Sequence, residues 1–285
     1  MNKGTSKILV SVCIITYNHQ EFIAQTIEGI LSQQTEFDFE VIVSNDCSTD
    51  NTHRVVTDII ANHPKGALIK YYNQQKNLGI HSNAYFVINN SNGHYIAFCE
   101  GDDYWTDSTK LKKQINLFQT KPNLGLVHTD YNILNQSDLL LSEAVNKSKK
   151  IPSGRVYNEL LQDNFIATLT VMVKRDVLLE AIEVLKEVAP RWGMLDYPWW
   201  LFISSELEVG YLSENTAIYR YLQSSASHSN SLSKNLSFLK CILLVRLHFN
   251  KYIKRVSYKE LMQIKFKYYL ESSLYIYRNL KTKNT

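Results

Sequence analysis

KILVSVCIITYN, residues 7–18, decides how the chain is read. Its apolar run from Ile8 to Ile15 shows no helical period and stops at Thr16, Tyr17 and Asn18. It is too short, and too quickly followed by polar residues, for a signal peptide or a membrane span; its length suits a buried core strand. The pattern recurs. FEVIVS (39–44), ALIKYY (67–72) and HYIAFCE (94–100) alternate with helix-like stretches around 20–31, 51–62 and 81–90. Such alternation predicts an α/β fold with a largely parallel sheet, in which ligands sit at the carboxyl ends of the strands. Farther on, GLVHTDYNIL (125–134) reads as a strand, RVYNELLQ (155–162) as a helix, and TLTVMVKRDVL (168–178) as a strand entering a helix.

An apolar fraction of 45% in 285 residues is ordinary for a globular protein with a real core. Cys13, Cys47, Cys99 and Cys241 form no C-x-x-C pair, which argues against a disulfide framework or a zinc site and suits a reducing cytoplasm. The net charge of +4 conceals a division: residues 231–285 hold twelve Lys and Arg against two Glu, +10, leaving −6 for residues 1–230. In that basic, Tyr-rich tail, FLKCILLVRLHF (238–249) is interrupted by Lys240 and Arg246 and is well short of the roughly 20 residues a bilayer needs. From Ser233 the pattern is helical, with Met262, Phe266, Leu270, Leu274 and Tyr277 near i, i+4 spacing. Helices of this kind either lie on anionic lipid, at the inner face of the cell membrane, or pack on the rest of the chain or on a second subunit. Nothing marks a nucleic-acid-binding motif.

The ends of the strands carry the chemistry. HYIAFCE runs into Gly101, Asp102 and Asp103, so three acids crowd four positions at the end of a buried strand. Such a cluster needs water, hydrogen bonds or a cation, because isolated charge in a low dielectric is costly. Mg²⁺ or Mn²⁺ takes one or two protein carboxylates and completes its shell with water and phosphate oxygens, which suits a diphosphate ligand. Gly101 would permit a tight turn that aims Glu100 and Asp102 at one ion. Alone, G-D-D could equally be a solvated turn capping the next helix. A second acidic turn, SNDCSTDNT (44–52), follows another strand; there Asp50 reads as a helix cap, and Asp46 as an acceptor for a base or a ribose hydroxyl.

These three regions together resemble the inverting nucleotide-sugar glycosyltransferases of family 2, which share the A-type glycosyltransferase fold. VSVCIITYN (10–18) resembles their opening strand, EVIVSNDCSTDNT (40–52) their nucleotide-binding turn, and QKNLGIHSNAYFVINNSNGHYIAFCEGDDYW (75–105) the stretch ending in their D-x-D-type metal motif. The likeness runs from about Val10 to His228. It implies a catalytic domain over 1–230, with a nucleotide-sugar half over about 8–120 and an acceptor half over 121–230, followed by a helical segment over 231–285. The departures are specific. Asn45 and Cys47 stand in the first and third places of a turn that commonly reads D-D-G-S, and Glu100-Gly101-Asp102 stands for D-x-D.

By that resemblance the donor is a nucleotide diphosphate sugar, most often of uridine, and the acceptor a hydroxyl of a glycan or lipid-linked glycan of a bacterial surface polysaccharide. Thr16, Tyr17, Asn18, Asn45, Asp46, Asn77, Gly79, Glu100, Asp103 and Arg220 are the expected nucleotide-sugar contacts, and Asp102 and His228 the expected ligands of Mn²⁺ or Mg²⁺. Asp196, in RWGMLDYPWWLFIS (191–204), is the expected base that takes the acceptor proton. Pro198 supports a helix start there, and the other role open to Asp196 is to cap that helix. Arg220 could instead be a surface charge and His228 a solvated loop residue. His128 and Asp130 lie at another expected strand end. A nucleotide-sugar-binding or scaffold protein without turnover, and a metal-dependent phosphohydrolase, are the competing readings.

Overall fold

Residues 10–16 form strand β1 (Val10–Thr16), the axis of the fold. The chain is described here by a computed structural model that covers residues 8–135, 139–142, 145, 151–222, 231–253 and 258–282. Helix α1 (Ile23–Leu31), strand β2 (Phe39–Asn45), helix α2 (Thr52–Asn62), strand β3 (Ile69–Asn73), helix α3 (Ile80–Asn89) and strand β4 (Tyr95–Phe98) follow in strict alternation. Strand β5 (Tyr104–Trp105), helix α4 (Lys110–Thr120), strand β6 (Leu124–Asn135) and strand β7 (Leu140–Ser142) complete the first half. Helix α5 (Tyr157–Gln162), strand β8 (Met172–Lys174), helix α6 (Arg175–Leu185), helix α7 (Asp196–Glu206), strand β9 (Glu208–Tyr221) and helices α8 (Leu232–Ile253) and α9 (Tyr258–Thr282) form the second.

One sheet gathers the strands in the order β3-β2-β1-β4-β8-β6-β9-β5, with β7 paired to β6. The β3-β2-β1-β4 part is parallel, β8 runs antiparallel to both β4 and β6, and β6 and β9 run parallel. The α/β fold expected from the sequence is present, its mostly parallel sheet flanked by helices. Both faces of β1 are covered, which is why its sequence is apolar throughout rather than alternating. Val10, Val12 and Ile14 pack with Ile23, Ile27 and Ile30 of α1 on one face, while Cys13 packs with Ala84, Val87 and Ile88 of α3 on the other. Trp192, Tyr197, Trp199 and Trp200 are all buried, so these aromatics belong to the core.

His128 and Asp130 are buried inside β6 rather than at a strand end. Burial drives the pKa of His128 down to about 3, so it is a neutral core residue against Phe165 and Tyr211. Most of the apolar run of α8 is also spent inward, Leu244 being exposed. Val245 and Phe249 join the core that α5, α6 and α7 share, the buried Arg246 Nε donates to the Tyr197 hydroxyl at 3.0 Å, and the Tyr157 hydroxyl donates to the Phe249 carbonyl. Among the described residues no helix is long and apolar enough to cross a membrane.

Lys110, at the start of α4, is wholly buried. Its Nζ donates to Gln114 Oε1 (2.8 Å) and the Thr170 carbonyl (3.2 Å) and lies 4.4 Å from the centre of the Trp105 ring. Burial lowers its pKa from 10.5 to about 7. The folded state therefore releases this proton near pH 7, while the unfolded chain holds it to about 10.5. Stability from this site is complete above pH 10.5 and is lost as pH falls through 7. Urea unfolding of Lys110→Met against wild type isolates the effect from other groups. The stability difference is expected to move in favour of wild type by about 1–2 kcal/mol between pH 7 and pH 9; a pH-independent difference would show that Lys110 keeps its ordinary pKa.

Candidate functional site

Parallel neighbours β2, β1 and β4 end on the same rim, and there the three motif regions meet. The Gly101 amide donates to the Ile15 carbonyl at 3.0 Å, holding the acidic turn against the end of β1. Gly101 is needed here for closeness rather than for an unusual backbone angle. A Cβ at this position would stand 2.6 Å from Thr16 Oγ1 and 2.8 Å from His19 Nδ1. Thr16 is buried and short and cannot swing away. Gly101→Ala is expected to cost about 1–3 kcal/mol through overpacking, read by urea unfolding; an unchanged midpoint would mean the turn is loose.

The second turn is knitted to the first. Asn18 takes a left-handed φ of 57°, its amide donates to Ser48 Oγ, and its Oδ1 accepts from the Thr49 amide at 2.8 Å. Asn45 donates through Nδ2 to the Tyr71 hydroxyl (3.1 Å) and to Asn73 Oδ1 (3.0 Å), and its Oδ1 accepts from Ser48 Oγ. It thus contributes hydrogen bonds without charge, within this chain. Cys47 has φ 60°, which explains the preference for glycine at this place of the turn. Asp50 accepts from the Thr52 amide at 2.9 Å and from the Gln20 amide, so it holds the start of α2 although Asn51, not Asp50, occupies the capping position.

Asp46 is buried, and its two carboxylate oxygens accept from the amides of Leu78 (2.6 Å) and Gly79 (3.0 Å). Asn77 adds a bond from Nδ2 to the Asp46 carbonyl, and Gly79, at φ 80°, opens α3. The Q-K-N-L-G segment is therefore pinned beside the end of β2. Tyr17, 44% exposed, presents its ring at the same rim next to the buried Thr16.

The acids fall into two environments. Asp103 is buried and accepts from the Arg220 amide at 2.8 Å; burial, then the Asp102 and Glu100 carboxylates, push its pKa well up. Arg220, near the end of β9, is buried and not a surface charge. Its guanidinium donates to the Asp102 carbonyl at 2.8 Å and to Gln25 Oε1 and stacks near Phe22 and Tyr104. Asp102 is the more open acid: its side chain is 19% exposed, and its Oδ2 lies 4.0 Å from His19 Nε2. Glu100 has Oε2 buried with no hydrogen-bond partner, and burial, then Asp102 and Asp196, raise its pKa to about 8.

Asp196 is thus within electrostatic reach of Glu100 across 96 positions of sequence. It is the first residue of α7, and Leu195, without a side-chain cap hydrogen bond, holds the capping position. Asp196 Oδ2 accepts from Thr168 Oγ1 at 2.8 Å. β8 pairs with β4 and carries the Thr168 turn to the strand end, where the Phe98 amide donates to the Val171 carbonyl. His228 lies outside the described residues. His19, Gln25 and Thr168 are site residues that the sequence reading did not single out; only His19, three residues from Thr16, stood near a motif.

A hard cation fits this rim. Glu100 Oε2 is an orphaned buried oxygen beside a second carboxylate, and Mg²⁺ or Mn²⁺ needs only one or two protein carboxylates. Among the described residues no three His, Cys, Asp or Glu side chains form a complete cage, so water and ligand oxygens would have to fill the shell. An apolar cavity of about 360 Å³ lies elsewhere, lined by Trp192, Leu244 and Leu247, and contains none of these acids.

The comparisons agree with the geometry. The Glycosyl transferase family 2 profile matches residues 11–179. An uncharacterized protein of Mycobacterium tuberculosis, Rv1520, is 31% identical over 213 residues, covering 74% of this chain but only 58% of that relative's length. The putative teichuronic acid biosynthesis glycosyltransferase TuaG of Bacillus subtilis is 26% identical, covering 86% of this chain and 92% of its own. The Escherichia coli UDP-Glc:alpha-D-GlcNAc-diphosphoundecaprenol beta-1,3-glucosyltransferase WfgD is 27% identical, covering 80% and 82%. Among solved structures, Staphylococcus aureus TarS 1–349 with UDP-GlcNAc superposes with a TM-score of 0.60 at 16% identity, covering 90% of this chain and 78% of that one. The mannosyltransferase PcManGT of Pyrobaculum calidifontis, in complex with GDP-Man and Mn²⁺, gives 0.58 at 14% identity, covering 92% and 74%. At these identities the two structures speak to the fold, and the match over residues 11–179 speaks to the family. With three motif turns converging on one rim of such a sheet, the chain belongs to glycosyltransferase family 2 and has the A-type glycosyltransferase fold.

Proposed function

We propose that the protein transfers a sugar, with inversion, from a nucleotide diphosphate sugar to a hydroxyl of a glycan or lipid-linked glycan in surface-polysaccharide synthesis. The observation that carries this reading is the 2.8 Å hydrogen bond from Thr168 to Asp196 beside the end of β4, which brings Asp196 within electrostatic reach of Glu100. It sets a candidate base beside a candidate cation site, the two things a single displacement requires. UDP-sugar is the favoured donor, since WfgD is named for UDP-Glc and TarS was solved with UDP-GlcNAc. WfgD is also named for a diphosphoundecaprenol-linked acceptor, which supports the lipid-linked alternative.

Asp102, assisted by Glu100, would hold Mn²⁺ or Mg²⁺, and His228 is a further proposed ligand. The bound ion would supply Lewis-acid stabilisation of charge on the departing diphosphate. The chain's own groups do the rest. Tyr17 lies open for stacking on the base, and Thr16, Asn18, Asn45 and Asp46 form the floor of the nucleotide site. Asn77 and Gly79 extend that floor, because the Asp46 carboxylate accepts from the Gly79 amide and the Asp46 carbonyl from the Asn77 side chain. Arg220 and Asp103 fix the acidic turn from behind, which orients Asp102.

Asp196 accepts the acceptor hydroxyl proton at a carboxylate oxygen while Thr168 holds the other oxygen. Titration of UDP calorimetrically, with and without Mn²⁺, tests the donor and cation together: saturable, Mn²⁺-enhanced binding is expected. A protein that binds no nucleoside diphosphate under either condition would overturn the proposal.

A further inference from the structure

The outer face of α9 is apolar. Met262, Phe266, Tyr269, Leu270, Leu274 and Tyr277 all stand open to solvent, with Phe266, Tyr269 and Tyr277 at least 64% exposed. Their spacing places them on one side of the helix. Ile264, which belongs to the core, marks the opposite side, where among the described residues only Tyr275, beyond the body, is also exposed, and Lys267 Nζ binds Asp163 at 3.0 Å to fasten the helix to the body. The periodic apolar residues of this helix thus point away from the protein, the reverse of what a surface helix does when it packs on its own core. A continuous exposed stripe of this size marks an interaction surface.

Charge identifies the occupant. The stripe lies in a segment of net charge +10, and Lys234, Lys240, Lys251 and Lys259 of α8 and α9 are exposed. α9 itself holds five Lys and Arg against two Glu, +3, so a second copy would bring like charge against it, whereas an anionic bilayer offers acyl chains for the aromatics and phosphates for the lysines. The 25 residues of α9 extend for about 37 Å, enough to lie along the surface over its whole length. In α8, by contrast, Val245 and Phe249 are occupied by the core and Phe238, Cys241, Ile242 and Leu243 pack against it.

We propose that the outward face of α9 seats in the interfacial zone of an anionic membrane. This holds whether or not the transferase reading holds, and its test is independent. Full-length protein is floated with phosphatidylcholine vesicles, with and without phosphatidylglycerol. Flotation is expected only with phosphatidylglycerol, weakening as salt is raised. The Phe266→Ser/Leu270→Ser variant is expected to float about tenfold less, with an unchanged melting curve because both residues are exposed. Tyr269→Ser/Tyr277→Ser serves as a second pair should the first alter folding. No flotation with phosphatidylglycerol, flotation of both variants equal to that of wild type, or a wild-type dimer in light scattering that these variants dissociate would each overturn the proposal.

Discussion

Asp196→Asn is expected to lower transfer by roughly 10²–10⁴-fold, the usual contribution of a positioned general base, while nucleotide binding stays the same. Asparagine keeps the shape and can still accept from Thr168 Oγ1, so the geometry at the start of α7 survives. What disappears is the oxygen that can take a proton. Loss of the helix cap is not an alternative explanation, because Leu195, not Asp196, occupies the capping position. The measurement is sugar transfer under saturating donor together with calorimetric UDP binding. Transfer within a few-fold of wild type would remove Asp196 from the chemistry, and an absence of turnover in both proteins would favour a nucleotide-sugar-binding protein.

Asp102→Ala should abolish the Mn²⁺-dependent part of UDP binding, a loss of about 100-fold or more, since a carboxylate–cation–diphosphate bridge is worth several kcal/mol. The backbone of the turn is held by Ile15, Thr26 and Arg220 through groups the substitution leaves in place, so the fold is retained. Metal-free binding is expected to change little. Equal affinity of variant and wild type in Mn²⁺ would move the cation elsewhere and sink the site described above. The two variants are complementary: one loses binding, the other only turnover.

Much of this was legible before any coordinates. β1, β2 and β4 are covered on both faces, so each reads as an unbroken apolar run whose polar stop marks the strand end. Asp46, Asp102 and Thr16 could therefore be found from position alone. α4 carries its own local signal, Leu111, Ile115 and Phe118 at helical spacing, yet it lies between motifs and was not assigned. β9 had no such signal. Its residues are shaped by pairing with β6 and β5, a long-range interaction that leaves no local pattern over Glu208–Tyr221.

Sequence by itself determined the strand–helix alternation, the acidic strand ends and the basic tail, because burial on both faces and local charge leave their mark residue by residue. Tertiary structure alone decided which groups meet. Thr168 reaches Asp196 over 28 positions and Gln25 reaches Arg220 over 195, contacts that no local pattern encodes. It also decided the direction of the α9 stripe, since a helical period records that one face is apolar but not whether that face turns toward the core or away from it.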